Sequence, residues 1–101
     1  MLSVAGSKVR LLLHEIQYLE VMKNYVTVRT EDGQEYSVRG TLNELERELD
    51  EGFCRIHRSI IVNLRFVKKI AKDTVMLKGG KVLPLARKSY DALNQAMIRY
   101  F

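Results

Sequence analysis

Strict alternation of apolar and polar residues in the first half of the chain constrains the fold most, because it predicts β-strands with one buried face. In residues 24–30, Val26 and Val28 fall on the same face of a strand. The alternation resumes at Tyr36 and Val38, after a turn signal that contains Asp and Gly. Together these residues predict a β-hairpin.

The length of the turn decides the register of this hairpin. A two-residue Asp-Gly turn would place Val28 opposite the polar Ser37. A three-residue loop, residues 31–33, would place Val28 opposite Tyr36 instead. Only the longer loop keeps the apolar side chains on one face, so we expect it, with Gly33 in the left-handed conformation.

Further strands follow the same kind of pattern. Short strands are predicted at residues 8–13, 17–22, 66–71, 74–78 and 81–83. Gly79 and Gly80 suit a two-residue turn between the last two strands, and Pro84 is expected to end the final one.

Two helices are predicted from their start and stop signals. Thr41 and Glu44 have the spacing of a capping box, leucines follow at helical intervals, and Gly52 is placed to end the helix. The acidic residues of this segment are most simply its solvent-exposed face. A second helix is predicted over residues 89–100. Its apolar stripe consists of Tyr90, Leu93 and Met97. The fold class is therefore mainly β with peripheral helices.

Composition excludes several classes of protein. A chain of 101 residues is one domain, residues 1–101, and its single cysteine, Cys54, forms no internal disulfide. No stretch free of charged residues exceeds seven residues, whereas a membrane-spanning helix needs about 20 apolar residues. The amino terminus has no basic region followed by an apolar one. We expect a cytoplasmic protein with no membrane partner.

The ingredients of an active site are few. Cys54 and His57 are three residues apart, but no third catalytic partner is suggested by position. One Cys and two widely separated His do not match the spacing of structural zinc sites. No glycine-rich phosphate loop is present. We therefore expect no enzymatic activity, no metal and no cofactor.

Charge is distributed unevenly along the chain. Residues 31–52 carry two basic and eight acidic side chains, a net charge of −6, whereas residues 53–101 carry eleven basic and two acidic ones, a net charge of +9. Such asymmetry suggests a polyanionic partner for the carboxy-terminal half. The alternative is a solubilising surface without a partner.

Three basic and polar clusters lie at junctions between predicted elements. Lys23-Asn24 precedes the hairpin, Arg87-Lys88 precedes the last helix, and a third cluster follows the first helix. The third cluster consists of Arg55, His57, Arg58 and Ser59. These residue types have donors that suit phosphate oxygens and base edges. Alternatively, each satisfies only local backbone groups.

Residues 53–64, FCRIHRSIIVNL, resemble the signature segment of the LytTR DNA-binding domain of bacterial response regulators. Other segments match in the same order, so the resemblance covers essentially the whole chain. They are residues 16–20, 24–26, 39–42, 45–46 and 83–87.

This resemblance implies an elongated stack of short antiparallel sheets with two short peripheral helices. It also implies that loops enter successive major grooves of double-stranded DNA and bend the duplex. A homodimer on tandem sites, and a receiver domain upstream of this chain in the full-length protein, are further implications.

The resemblance also implies a set of DNA contacts. Its base-reading positions correspond to Asn24, His57, Arg58 and Arg87, and its phosphate contacts to Lys23, Ser59 and Lys88. Two positions depart from the family pattern. Ala86 stands where Ser is frequent, which removes a hydroxyl contact, and Ile60 replaces a frequent aromatic residue.

Two other binding functions remain open from the residues alone. A small basic β module binding single-stranded nucleic acid or RNA would need exposed aromatic side chains for stacking. Tyr25, Tyr36 and Phe66 lie in alternating patterns that favour burial instead. A protein-interaction domain would use the acidic helix as its contact surface.

Overall fold

The chain folds around a five-stranded antiparallel sheet in the order β5-β4-β3-β7-β6, with a three-stranded sheet, β10-β9-β8, and a two-stranded sheet, β1-β2. The computed structural model describes residues 2–3 and 10–100. The strands are β1 (Leu2–Ser3), β2 (Arg10–Leu11), β3 (Ile16–Met22), β4 (Tyr25–Thr30), β5 (Glu35–Val38), β6 (Phe53–His57), β7 (Ile60–Asn63), β8 (Val67–Ile70), β9 (Thr74–Leu77) and β10 (Val82–Pro84). The helices are α1 (Leu42–Glu46) and α2 (Tyr90–Tyr100), and short 3-10 turns lie at Leu13–Glu15, Leu64–Phe66 and Arg87–Ser89.

β7 lies at the buried centre of the molecule, between two apolar cores. All four of its residues are buried. Ile61 packs in one core with Leu19 and the leucines of α1. Ile60 and Val62 face the second core, which the three-stranded sheet and α2 cover. A strand buried on both faces has a continuous apolar run in place of alternation, so the alternating pattern did not predict β7. Its partner β6, with the sequence FCRIH, was also not predicted.

The β4–β5 hairpin confirms the predicted register. Val28 lies opposite Tyr36, and Val26 lies opposite Val38. Gly33 has a φ of +86°, in the left-handed region. The three-residue loop therefore forms because it keeps the apolar side chains of both strands on the buried face.

The β9–β10 hairpin corrects the second turn prediction. Its loop has three residues, residues 78–80, in place of the expected two-residue Gly-Gly turn. The Leu77 N–H donates to the Lys81 carbonyl at 2.8 Å and closes the loop. This register places Val75 opposite Leu83, and both are buried. A two-residue turn would shift the pairing by one residue and place one apolar side chain opposite a solvent-facing one.

α1 begins with the predicted capping box. The Glu44 N–H donates to the Thr41 hydroxyl at 3.1 Å, and the Thr41 N–H donates to the Glu44 carboxylate at 2.9 Å. Because the carboxylate accepts that backbone bond, the pKa of Glu44 is lowered from its ordinary value.

α1 is shorter than predicted, since it ends at Glu46 and tighter turns follow it. Gly52 therefore does not terminate the helix. It is buried against the ring of Tyr100, where an added Cβ would lie 3.0 Å from Cε1. The glycine allows the chain to enter β6 close to α2.

α2 covers the second core, as the helical spacing predicts. Leu93 and Ala96 are buried, and Met97 packs against them. Tyr90, which was expected in the apolar stripe, is 38% exposed. It is the first residue of α2, so the helix has not yet reached the core at that point.

The other strands differ from the predictions mainly at their ends. The strand expected over residues 8–13 is observed as β2, and residues 8 and 9 lie outside the described residues. Phe66 belongs to a 3-10 turn before β8. Pro84 is the last residue of β10, as predicted.

The described residues form an elongated body with principal dimensions of 38 × 24 × 23 Å. The predicted fold class, mainly β with stacked short antiparallel sheets and two short helices, is confirmed. Within the described part of the chain, no helix has the length and apolarity needed to cross a membrane.

Replacing Gly33 with alanine tests the loop geometry. A Cβ at this position would meet no atom within 4 Å, so the cost comes from the positive φ alone. We expect Gly33→Ala to lower the free energy of unfolding by about 1 kcal/mol. Gly33→Asn should cost less, because Asn tolerates the left-handed region. Equal losses in denaturant unfolding would contradict this explanation.

Candidate nucleic-acid interface

Two hairpin turns lie side by side at one end of the five-stranded sheet. Lys23 and Asn24 form the β3–β4 turn, and Arg58 and Ser59 form the β6–β7 turn. β3 and β7 are antiparallel neighbours, and the Val21 N–H donates to the Ser59 carbonyl at 2.9 Å. This pairing brings together two predicted clusters that are far apart in the sequence.

The predicted Arg87-Lys88 cluster is attached to the edge strand of the same sheet. The Ala86 N–H donates to the Ile56 carbonyl at 2.8 Å. Arg87 therefore follows a residue that is hydrogen-bonded to β6 next to His57. Arg87 and Lys88 are both exposed. The structure thus places all seven predicted contact residues on or beside one end of the sheet.

Most of these side chains keep their donors for solvent or a ligand. Of the seven predicted contact residues, all of which lie in the described part of the chain, five are exposed and make no side-chain hydrogen bond or ion pair, namely Lys23, Asn24, Arg58, Arg87 and Lys88. Cationic and amide donors of this kind suit phosphate oxygens and base edges. This end of the sheet is chemically fit to bind a polyanion.

A depression of about 430 Å³ lies between the two turns and the start of α1. Three cationic side chains, Lys23, Arg55 and Arg58, line it, and no acidic residue does. Its apolar part includes Val21 and Leu42. The depression therefore concentrates positive charge between the turns.

His57 and Ser59 hold the β6–β7 turn from one side. The Ser59 N–H donates to Nδ1 of His57 at 3.2 Å, and the Ser59 hydroxyl lies 2.9 Å from the same nitrogen. Since Nδ1 accepts the backbone bond, the hydroxyl also donates to it, and we assign the ring proton to Nε2. The ring thus keeps one N–H donor for a ligand.

Arg55 and Asn43 hold the same turn from the other side. Nη2 of Arg55 donates to the Arg58 carbonyl at 2.6 Å. Nη1 donates to Oδ1 of Asn43 and lies 3.6 Å from Oε1 of Glu46. Arg55 belongs to a predicted basic cluster, whereas Asn43 was not predicted from the sequence. No spacing rule identifies this contact, because it depends on how α1 packs against the sheet.

The family model of the LytTr DNA-binding domain matches residues 6–98 of the chain. The chain belongs to the LytTR DNA-binding domain family. The predicted resemblance is thereby confirmed. The family is defined by DNA binding and not by catalysis, which agrees with the expectation of a non-enzymatic chain.

Two curated proteins are similar to this LytTR domain. The sensory transduction protein LytT of Bacillus subtilis (strain 168) is 34% identical over 92 residues, which cover 85% of this chain and 38% of that protein. An uncharacterized response regulatory protein of Vibrio cholerae is 33% identical over 82 residues, which cover 76% of this chain and 30% of that protein. The matched segments therefore span less than two fifths of the length of these relatives.

A solved structure shows the same fold. The LytTr DNA-binding domain of a methyl-accepting/DNA response regulator from Bacillus cereus superposes with a TM-score of 0.79. The match covers 96% of this chain and 93% of that one, at 24% sequence identity. The LytTR fold is therefore present over nearly the whole chain.

Tyr25 corrects one burial prediction for this LytTR domain. Phe66 is buried and Tyr36 is partly buried, but Tyr25 is 38% exposed. Tyr25 is the first residue of β4, and Met22, its partner on β3, is also exposed. Tyr25 lies on the face of β4 opposite to the buried Val26 and Val28, so the alternation that buries the two valines leaves Tyr25 on the other face.

The acidic residues and the cysteine of this LytTR domain have the environments that a structural role predicts. The acidic side chains of residues 44–51 are exposed, as the solvated-face interpretation predicted. Cys54 packs against the second core, and burial raises the pKa of its thiol. In the described ranges, no group of three or more His, Cys, Asp and Glu side chains could hold a metal ion.

Lys23 occupies a strained backbone position within the interface. Its φ is +56°, and it is the one non-glycine residue with positive φ in the described part of the LytTR domain. We expect Lys23→Gly to leave the free energy of unfolding within about 0.5 kcal/mol of the parent, because relief of φ strain offsets the flexibility of glycine. Asn24→Gly, at a negative φ, should cost about 0.5 to 1 kcal/mol. Denaturant unfolding measures both variants. A larger loss of unfolding free energy for Lys23→Gly than for Asn24→Gly would contradict backbone strain at Lys23.

Proposed function

We propose that this LytTR domain binds double-stranded DNA sequence-specifically, as the output domain of a bacterial transcriptional regulator. The observation that carries the proposal is the placement of two hairpin turns and the Arg87 segment at one end of a rigid sheet, with their cationic donors facing solvent. A two-stranded ribbon fits the major groove of B-DNA, which is about 12 Å wide.

The exposed donors define the proposed base contacts. Arg58 and Arg87 are the first candidates, because a guanidinium can donate two parallel bonds to O6 and N7 of guanine. Asn24 suits the edge of adenine in the same way. His57 would donate from Nε2, since Nδ1 is occupied by Ser59.

The proposed phosphate contacts lie next to the base contacts. Lys23 and Lys88 are exposed beside Asn24 and Arg87. A bond from the Ser59 hydroxyl to a phosphate requires its proton to turn away from His57. The Ser59 backbone N–H would still hold the ring in place.

The spacing of the contact segments supports bending of the duplex. Across the sheet, the order is the β3–β4 turn, the β6–β7 turn and the Arg87 segment. Strands lie about 4.8 Å apart, so this row spans about 17 Å at the backbone. Successive major grooves on one face of straight DNA are about 34 Å apart. Long side chains close part of the difference, and we propose that bending toward the protein closes the rest.

Binding of single-stranded nucleic acid or RNA is the alternative. The exposure of Tyr25 offers one stacking surface at the interface. Single-strand binders use several aromatic platforms along a groove, and the other exposed tyrosines, Tyr90 and Tyr100, belong to α2. The geometry therefore favours duplex DNA. Competition between duplex and single-stranded oligonucleotides of one sequence distinguishes the two functions.

The longer relatives suggest the setting of the domain. We propose that residues 1–101 act as one DNA-binding domain, joined to an upstream receiver domain in the full-length protein. Two copies would bind tandem sites as a homodimer. Since the partner is chromosomal DNA, the proposed location is the bacterial cytoplasm.

Salt dependence tests the electrostatic part of the proposal. If about five or six phosphates are neutralised, log affinity should fall against log salt concentration with a slope of about −5. Fluorescence anisotropy of a labelled duplex at several salt concentrations measures this slope. A slope near zero would exclude binding through phosphate contacts.

Alanine substitutions test the base contacts. On a duplex selected from a random pool, Arg58→Ala and Arg87→Ala should each weaken binding by about 1 to 3 kcal/mol. Binding to a random duplex should change little, because it depends on phosphate contacts. Lys72→Ala, an exposed cation in the three-stranded sheet's loop, is the matched control. Equal losses of affinity for both duplexes would indicate that Arg58 and Arg87 contact phosphates and not bases.

A further inference from the structure

Arg55 lies directly beneath the turn that presents Arg58. Its two Nη groups bind different partners: Nη2 donates to the Arg58 carbonyl at 2.6 Å, and Nη1 donates to Oδ1 of Asn43. Oε1 of Glu46 lies 3.6 Å from Nη1. We propose that Arg55 is a positioning residue, which holds the β6–β7 turn so that Arg58 is oriented for the DNA before binding. This inference rests on the proposed function of Arg58.

The contacts of Arg55 argue against a phosphate-binding role for it. Both terminal nitrogens are engaged within the protein, and the Glu46 carboxylate partly compensates the charge. The Arg55 side chain is 31% exposed. Arg58, three residues later, is exposed and keeps its guanidinium donors for a ligand. The two arginines therefore have different roles despite similar positions in the sequence.

Fixing the Arg58 carbonyl fixes the orientation of the turn. A carbonyl held by a charged donor cannot rotate its peptide plane without losing that bond, and bonds to charged groups are among the stronger ones. The β6–β7 pairing is also irregular between Arg55 and His57, and such bulges re-aim the side chains beside them. His57 holds Ser59 on the opposite side of the turn. Less ordering is then needed when the turn meets DNA.

The inference gives a function to α1 that its acidic face does not suggest. Asn43 and Glu46 lie one turn apart on this helix, and both contact Arg55. The capping box fixes where the helix begins, and the buried Leu42 and Leu45 fix how it sits on the sheet. The helix thereby supports the DNA-contacting turn without touching DNA in this arrangement.

Arg55→Lys is the decisive variant, because it keeps the charge and removes the two-armed guanidinium. Asn43→Ala removes the support from α1 and is a second, independent route. Arg65→Lys is the matched control. Arg65 also donates to a backbone carbonyl, that of His14 at 3.0 Å, in a different part of the fold. The affinity of each variant is measured for the selected duplex and for a random duplex of equal length, at the same salt concentration.

We expect Arg55→Lys to weaken binding to the selected duplex about tenfold, the effect of losing one bond to a charged group. Binding to the random duplex should change less than about twofold, and the salt slope should stay the same. The combined Arg55→Lys and Asn43→Ala variant should lose less affinity for the selected duplex than the product of the two single fold-losses. Both substitutions act on the same contact beneath the turn. Arg65→Lys should have no such selective effect.

Amide hydrogen exchange of the free protein provides a readout that does not depend on DNA. Arg55→Lys should increase exchange at residues 57–60 and at Val21, whose N–H donates to the Ser59 carbonyl, and leave β4 unchanged. If the parent protein fails to discriminate duplexes but exchange responds in this way, the proposed function fails and the support of the turn stands. Unchanged exchange would overturn the inference. For Arg55→Gln, which removes the charge, a salt slope reduced by about one would overturn it too, because Arg55 would then be a phosphate contact.

Discussion

The pairing of β3 with β7 is the interaction on which the rest of the structure depends. It joins the three consecutive strands β3–β5 to the β6–β7 hairpin and so forms one five-stranded sheet. Because β7 is buried on both faces, the same pairing also separates the two apolar cores. The β3–β4 and β6–β7 turns then lie at the same end of the sheet as a direct consequence of antiparallel order. The interface and the core therefore have a common structural origin.

Contacts within the protein hold the backbone of the segments that carry the exposed cations. The turns contain exposed cations, yet their backbones are held by partners inside the protein, Ser59 by His57 and Arg58 by Arg55. The segment before α2 is likewise held through Ala86 on β6. The cations proposed to contact DNA are exposed, whereas Arg55 and His57, which hold the β6–β7 turn, are partly buried. This division reduces the ordering cost of binding.

Local features of the fold were predictable because they depend on near neighbours. The β4–β5 register follows from face matching across a short loop, and the capping box of α1 follows from Thr41 and Glu44. The same face argument would have given the correct β9–β10 loop, since Val75 and Leu83 must share the buried face. The length of α1 was not predictable in this way, because it depends on what packs at the end of the helix. The exposure of Tyr25 follows from the alternation of β4, which places it on the face opposite to Val26 and Val28.

The family, the mainly β fold class, the β4–β5 register and the charge asymmetry follow from the sequence alone, because each depends on residue type and spacing. Only the tertiary structure decided that the basic clusters meet at one sheet end and that Asn43 and Glu46 contact Arg55. Those contacts join residues through strand order and helix packing. The physical reason is that long-range burial, and not local propensity, selects which elements become neighbours.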